Sequence, residues 1–276
     1  MRDSGQLTFL RYPGGKRRIM SFLDEHLPPT KDIAGKYIEP FVGGGSVYFH
    51  LRPKKAILAD LNTELIDLYR GIRLAPDKVW RIYRRLPMTK KGYNEIRRLR
   101  HCELDLPNRA ARTLFLNRTC FKGMWRHNSD GEFNVGYGGQ ARRWVIARKD
   151  LFAVARALRN ASLASADFES IINEANAGDF LFLDPPYRPG EKEQLHNHYV
   201  GRKFTFDDHL RLARCLRHAD KRGVAWLMTI SGHPDIVKLY SKFETLDVPR
   251  GTGRKIGVLA NNSGEVLISN HKGELK

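Results

Sequence analysis

Cysteine is scarce: the 276-residue chain has three, Cys102, Cys120 and Cys215. Their spacing is not that of metal ligands, and an odd count does not suit a disulfide framework, so they read as reduced thiols and no metal is expected. No apolar run approaches the roughly 20 residues that a membrane helix needs. The opening Met1-Arg2-Asp3-Ser4-Gly5 lacks the apolar stretch of a secretory leader, so the expectation is a cytoplasmic chain with no membrane partner. Gly14-Gly15-Lys16 is not a Walker A loop, which needs longer glycine spacing and a Ser or Thr after the lysine. No internal repeat or low-complexity segment interrupts the chain. Acid is also short, with 30 Asp+Glu against 48 Lys+Arg and a net charge of +18. Such an excess implies a polyanionic partner, nucleic acid first. The basic residues crowd at Arg81, Arg84, Arg85, Lys90, Lys91, Arg97, Arg98 and Arg100, and again at Arg142, Arg143, Arg148 and Lys149. That distribution favours a binding surface over uniform solubilisation.

What is present centres on Asp184-Pro185-Pro186-Tyr187, which follows the apolar run Phe180-Leu181-Phe182-Leu183. The run has the composition of a buried parallel strand, and the prolines stop it because they cannot donate to a sheet. A carboxylate, backbone carbonyls and a ring are thereby presented at a strand's C-terminal end, where open α/β sheets bind ligands. A planar amine suits that set, and an exocyclic amino group on a nucleobase is one.

Upstream, Lys36-Tyr37-Ile38-Glu39 reads as a strand that runs into Gly43-Gly44-Gly45-Ser46 and a helix from Val47. Three glycines remove every Cβ, so a ligand can lie on the backbone. A second strand ends in Asp60, near the separation from Gly43 at which an acid binds ribose hydroxyls in dinucleotide folds. The loop is not G-x-G-x-x-G, so nicotinamide binding is poorly supported, but an adenosine-containing ligand fits. Asn62 or Thr63 caps the helix that follows, whose apolar face is Leu65, Ile66, Leu68, Tyr69 and Ile72.

From residue 74 to 145 the character changes. Short basic helices around Trp80-Arg81 and Tyr93-Asn94, another over residues 109–117, and a hairpin turning at Asp130-Gly131 make an inserted helical and hairpin recognition subdomain. The α/β pattern then resumes. Residues 151–160 read as a helix, 162–168 as a strand ending at Asp167-Phe168, and 188–203 as a polar loop. Residues 207–221 read as a helix, 223–231 as a strand and 235–243 as a helix. Residues 245–249 and 264–270 read as an antiparallel end to a mostly parallel sheet. The expected fold is α/β, a Rossmann-like sheet over residues 1–73 and 146–276 with the insert between.

Five segments, in this order, resemble one family. They are Phe9-Leu10-Arg11-Tyr12-Pro13-Gly14-Gly15-Lys16, Glu39-Pro40-Phe41-Val42-Gly43-Gly44-Gly45-Ser46, Leu58-Ala59-Asp60-Leu61-Asn62, Leu116-Asn117-Arg118 through Gly131-Glu132-Phe133-Asn134-Val135, and Asp184-Pro185-Pro186-Tyr187. The chain resembles the Dam-like, D12-class DNA adenine-N6 methyltransferases, which have the class I S-adenosylmethionine-dependent fold. The resemblance implies S-adenosylmethionine as methyl donor, held by Tyr12, Lys16, Gly43, Gly44, Gly45, Asp60 and Asp184, with Asp167 and Phe168 near its adenine and Lys16 on its carboxylate. Tyr12 stands where the family often has tryptophan. Asp184, the Pro185 carbonyl and Tyr187 would act on a flipped adenine.

The resemblance further implies double-stranded DNA as partner, read by Arg118, Phe121, Lys122, Met124, Arg126 and Asn134. Arg126 stands where relatives reading GAT-containing sites place an arginine, so a site such as GATC is expected. Phe121 and Lys122 replace a frequent Tyr-Asn, and Met124 a common leucine. A bacterial or phage-encoded monomer is expected, with a cognate restriction endonuclease acting on the same site as an implied partner. Two rivals stand beside this reading. One is a cytosine-N4 methyltransferase, which attacks a similar amine; the other is a non-catalytic DNA-binding protein on the same fold. Asp rather than Asn at 184 disfavours RNA or protein-glutamine methylation, and no Pro-Cys dipeptide is present for cytosine C5 chemistry.

Overall fold

The computed structural model describes residues 9–11, 14–128, 131–139, 146–187, 204–251, 259–260 and 263–271. A 3-10 turn over Lys16–Ile19 leads into α1 (Met20–Asp24), β1 (Tyr37–Glu39), α2 (Ser46–Leu51), β2 (Ala56–Asp60), α3 (Thr63–Leu74), α4 (Pro76–Arg85), α5 (Lys90–Arg98) and α6 (Leu106–Thr119). Then follow α7 (Arg148–Ala157), β3 (Ala161–Ser165), α8 (Phe168–Asn173), β4 (Phe180–Leu183), α9 (Phe206–Lys221) and β5 (Ala225–Ser231). The last elements are α10 (Pro234–Lys238), β6 (Glu244–Asp247), the short pair β7 (Arg250–Gly251) and β8 (Leu259–Ala260), and β9 (Glu265–Ser269).

One seven-stranded sheet runs in the order β3-β2-β1-β4-β5-β9-β6. Its first five strands are parallel, and β9 runs antiparallel to both β5 and β6. All four side chains of β4 are buried, as a central strand covered on both faces requires. The strand alternation divides them: Phe180 and Phe182 join one core cluster, Leu181 and Leu183 the other. Chain order reverses between β1 and β4. The C-terminal ends of those two strands open the crevice in which such sheets bind ligands. Among the described residues, no helix is long and apolar enough to cross a membrane.

The structure shortens two expected elements. The strand expected over residues 162–168 ends at Ser165, because the Asp167 carboxylate accepts the Glu169 N–H at 2.9 Å and caps α8. Phe168 is therefore helical. The helix expected over 235–243 covers only Pro234–Lys238. One is longer: α6 starts at Leu106, where Asp105 caps it and a proline occupies the first turn.

The insert shares its core with the sheet domain. Helix α6 lies along α3 so closely that a Cβ at Gly71 would sit 2.5 Å from the Ala110 Cβ. Leu65, Leu68 and Ile72 belong to the same buried cluster as Tyr83, Tyr93, Leu114, Trp125 and Val135.

Candidate active site

A cleft of about 480 Å3 opens at the C-terminal ends of β1, β2 and β4. Its walls include Gly43, Gly44 and Gly45 after β1, Asp60 at the end of β2, Phe168 after β3 and residues 184–187 after β4, with Lys16 at one side. A volume of this size is ordinary for a small-molecule site, which spans about 300–1,000 Å3.

Three donors converge on one carboxylate oxygen, Oδ1 of Asp184. The Lys16 Nζ lies 2.9 Å away, the Thr229 hydroxyl 3.0 Å and the Tyr187 hydroxyl 3.3 Å. Lys16, only 5% exposed, also donates to the Tyr187 oxygen at 2.6 Å and lies 3.6 Å from Glu265 Oε2. Burial alone would weaken the Lys16 ammonium, but Asp184, Tyr187 and Glu265 outweigh it and hold its pKa well above the usual lysine range. Burial pushes the Asp184 carboxyl up, with Glu265 adding to the push. Lys16 and the Thr229 hydroxyl pull the other way without cancelling it. Lys16, expected on the donor's carboxylate, lines the cleft with its ammonium on Asp184, since a buried carboxylate needs a counter-charge.

The glycine loop is tied to the β2 acid. The Gly43 N–H donates to Asp60 Oδ2 at 3.0 Å and the Asn62 N–H to Oδ1 at 2.9 Å. Burial pushes the Asp60 carboxyl up to about 6 against the pull of these two N–H groups. Gly45 caps α2 in the left-handed region, φ 64, which favours glycine. At the end of β1, Glu39 is 2% exposed and pushed up to about 8 by burial, despite bonds from the Tyr37 hydroxyl and the Tyr48 N–H.

Phe41, Phe168 and Phe204 make an aromatic wall, with ring centroids 5.3 to 6.0 Å apart. Arg211 backs it, its guanidinium 4.3 Å from the Phe168 centroid. Arg211 also takes both oxygens of Asp167, at 2.8 and 3.0 Å. Asp167, expected near the cofactor adenine, lines the cleft, with its carboxylate held by Arg211 and capping α8. Phe168 lines the cleft beside it.

The hairpin forms as expected, though Asp130 at its turn lies outside the described residues. His127 bridges Phe133 in antiparallel fashion, and the Asn134 N–H donates to the Arg126 carbonyl at 3.0 Å. Trp125, His127 and Phe133 are buried together. On the opposite side the Arg126 Nε donates to the Asn134 Oδ1 at 2.8 Å. Phe121 and Lys122 are exposed, with the Lys122 ammonium 5.3 Å from the Phe121 centroid, and Met124 is half-buried. Lys122 holds φ 54, a left-handed conformation that asparagine tolerates better. Arg118, expected at the DNA, is 6% exposed inside α6, and burial lowers its pKa. It belongs to the interior because residues 110–119 are buried all round. Tyr12, Arg142, Arg143 and residues 188–203 lie outside the described residues.

Thr229, Arg211 and Glu265 were missed in the sequence. A threonine inside the otherwise apolar Ala225–Ser231 run was the available signal for the first. Nothing local links Arg211 to Asp167 or Glu265 to Lys16.

The strand order, the switch-point cleft and the Asp-Pro-Pro-Tyr loop at the end of β4 together define a methyltransferase of the class I fold. The model of the family described as D12 class N6 adenine-specific DNA methyltransferase matches residues 12–251. The type II methyltransferase M.MjaIII of Methanocaldococcus jannaschii is 33% identical, over 95% of this chain and 98% of that protein. The type II methyltransferase M1.LlaDCHI of Lactococcus lactis subsp. cremoris is 30% identical, over 95% of each. The DNA adenine methylase of Escherichia coli strain K12 is 30% identical, over 82% of this chain and 80% of that protein. The chain belongs to the D12 class of N6 adenine-specific DNA methyltransferases. It is an enzyme that methylates adenine N6 in DNA, which sets aside the cytosine-N4 and non-catalytic alternatives.

Proposed function

We propose that the protein transfers a methyl group from S-adenosylmethionine to adenine N6 in duplex DNA, at a GAT-containing site such as GATC. The observation that carries the reading is the occupancy of Asp184. Its Oδ1 is saturated by Lys16, Thr229 and Tyr187, while among the described residues no donor is recorded on Oδ2. That oxygen and the Pro185 carbonyl are the acceptors assigned to the two amine N–H groups. Adenine N6 is a poor nucleophile because its lone pair is delocalised into the ring. Two acceptors favour a more pyramidal nitrogen with a freer lone pair, and Asp184 Oδ2 can take the proton that the amine sheds. The Tyr187 ring, its hydroxyl held by Lys16, is assigned to stack on the extruded base, offsetting part of an unstacking cost of a few kcal/mol.

The cleft fits the donor's chemistry. Asp60 has acceptor capacity for ribose hydroxyls beyond its two backbone partners, Gly43, Gly44 and Gly45 allow close approach, and the wall of Phe41, Phe168 and Phe204 offers a π face to an adenine. S-adenosylmethionine, when bound, supplies an electrophilic methyl on a positively charged sulfur that is itself a good leaving group. Orienting the amine can then contribute much of the acceleration.

Residues 74–145 are assigned to recognition, with Arg126 reading guanine, the commonest specific arginine contact. The relatives' names as type II methyltransferases support pairing with a restriction endonuclease at the same site, and the enzyme is read as a monomer. Asp184→Ala should reduce methylation to background while DNA binding persists; near-normal methylation by that variant ends this account. Plasmid from expressing cells should change its digestion by nucleases sensitive to adenine methylation in GATC. An unchanged pattern refutes the site, and single-molecule sequencing then gives the correct one.

A further inference from the structure

Between the sheet domain and the insert lies a buried charge cluster that the proposed chemistry does not use. Glu64, in the first turn of α3, has a side chain 13% exposed. Its Oε1 accepts from Arg112 Nη1 of α6 at 3.0 Å, with His101 Nδ1 at 3.9 Å. Its Oε2 faces His127 Nε2 of the hairpin at 3.6 Å, ion-pair range just beyond hydrogen-bond length. One turn further along α3, Asp67 Oδ2 accepts from Arg109 Nη1 at 3.2 Å and meets His101 Nε2 at 3.0 Å, while Arg70 Nη1 lies 3.3 Å from its Oδ1. Burial would push the Glu64 carboxyl up, but His127, Arg112 and His101 together hold it below the usual range, so it is ionised.

Trp125 and Phe133 fill the hairpin's inner face with apolar surface, and the Val135 carbonyl accepts from the Tyr93 hydroxyl of α5 at 2.7 Å and from Arg97 Nη1 at 3.4 Å. His127 beside Glu64 adds a charged contact at a different point along the hairpin. Strand alternation then sets the neighbour: with His127 inward, Arg126 points outward beside Asn134. Glu64 is also linked to the donor cleft, since the Asn62 N–H that begins this helix donates to Asp60.

We infer that Glu64 is a positioning residue for sequence reading: by holding His127 it sets the placement of the hairpin, and so the discrimination between DNA sequences, without touching DNA. The inference rests on the reading of Arg126 as a base contact. A good bidentate contact discriminates by roughly 10- to 100-fold, and only when the guanidinium is well placed.

The test uses the full chain and first maps the wild-type site by sequencing methylated DNA. Then kcat/KM is measured on that duplex and on duplexes with one base pair changed, for wild type, E64Q, R126A and the double variant. E64Q keeps the shape and one acceptor oxygen; E64A would leave buried cations unmatched and is less informative. The expected result for E64Q is a discrimination ratio lowered by about tenfold, carried by KM for DNA rather than kcat, with the Kd for S-adenosylmethionine within about twofold of wild type. R126A should lower the same ratio, and the double variant should lower it no further than R126A, because two residues acting through one contact are not additive. An unchanged ratio in E64Q, an equal loss on all duplexes accompanied by a fall in Tm, or full additivity in the double variant overturns the inference. If R126A leaves discrimination intact while E64Q lowers it, the reading of Arg126 fails and the role of Glu64 in placing the hairpin stands.

Discussion

Removing one hydroxyl should move the pH dependence of methylation. Thr229 is fully buried in β5, and its Oγ1 lies 3.0 Å from Asp184 Oδ1. Thr229→Val keeps nearly the same shape and deletes this bond. A hydrogen bond to a charged group contributes about 1.5–3 kcal/mol, equivalent to roughly a 10- to 100-fold change in the ratio of ionised to protonated Asp184. Burial already pushes that carboxyl up, and Lys16 is the larger opposing influence. Losing Thr229 pushes it further up. The ionised form is the acceptor, so on the acid limb, where rate follows the ionised fraction, the variant should be roughly 10- to 100-fold slower by the same arithmetic. At higher pH the two curves should converge. Stability follows the same sign: the variant's deficit is present where Asp184 is ionised and fades as pH falls through its titration. The assay is single-turnover methylation of an oligonucleotide duplex across pH, with Thr229→Ser as the variant that restores the bond. Superimposable profiles, or an equal loss at every pH, would refute the electrostatic reasoning.

Three further outcomes are expected. Gly45→Ala puts a Cβ 2.9 Å from Phe49 Cε2 at φ 64; left-handed strain of about 1–2 kcal/mol and crowding of about 1–3 kcal/mol should lower Tm by roughly 5–10 °C and weaken donor binding. Gly223→Ala, φ 75 with its nearest atom at an ordinary 3.6 Å, suffers the strain alone, so equal losses in the two variants would sink the crowding argument. Glu39, pushed up to about 8, takes up a proton on folding, so stability should fall as pH rises from about 5 through 8. Glu39→Gln should escape on the order of 2 kcal/mol of that fall between about pH 6 and 9, and parallel denaturation curves at both pH values would contradict it. Lys122→Asn should raise stability by about 0.5–1 kcal/mol by easing the left-handed backbone, and an unchanged or lower denaturation midpoint speaks against this.

Much of the sheet and cleft was legible because its signals are local. Phe180 to Leu183 is apolar throughout since β4 is covered on both faces, and the prolines that follow mark its end. Asp60 ends β2 and lines the cleft, and Asn62 caps α3 as its side-chain chemistry suggests. Arg118 misled because residues 110–119 of α6 are buried all round, so an arginine near the helix end is drawn into the interior. The end of β3 misled because a helix cap and a strand end look alike when an acid, Asp167, precedes a phenylalanine. Lys16 with Asp184, Arg211 with Asp167 and Glu64 with His127 are pairs that only tertiary folding creates. Periodicity says nothing about them.

The close approach of α6 to α3, allowed by Gly71 against Ala110, constrains how target preference can change across relatives. Residues 74–145 are not a cassette that can be lifted out, because Leu65, Leu68 and Ile72 of α3 share the buried cluster that fills their interior. A chimera joined at residues 74 and 145 would carry mismatched buried surfaces and stranded charges at Glu64 and Asp67. If Arg126 and its neighbours read the target as proposed, new preferences would be reached most readily by exchanging these outward-facing hairpin side chains on an otherwise unaltered scaffold.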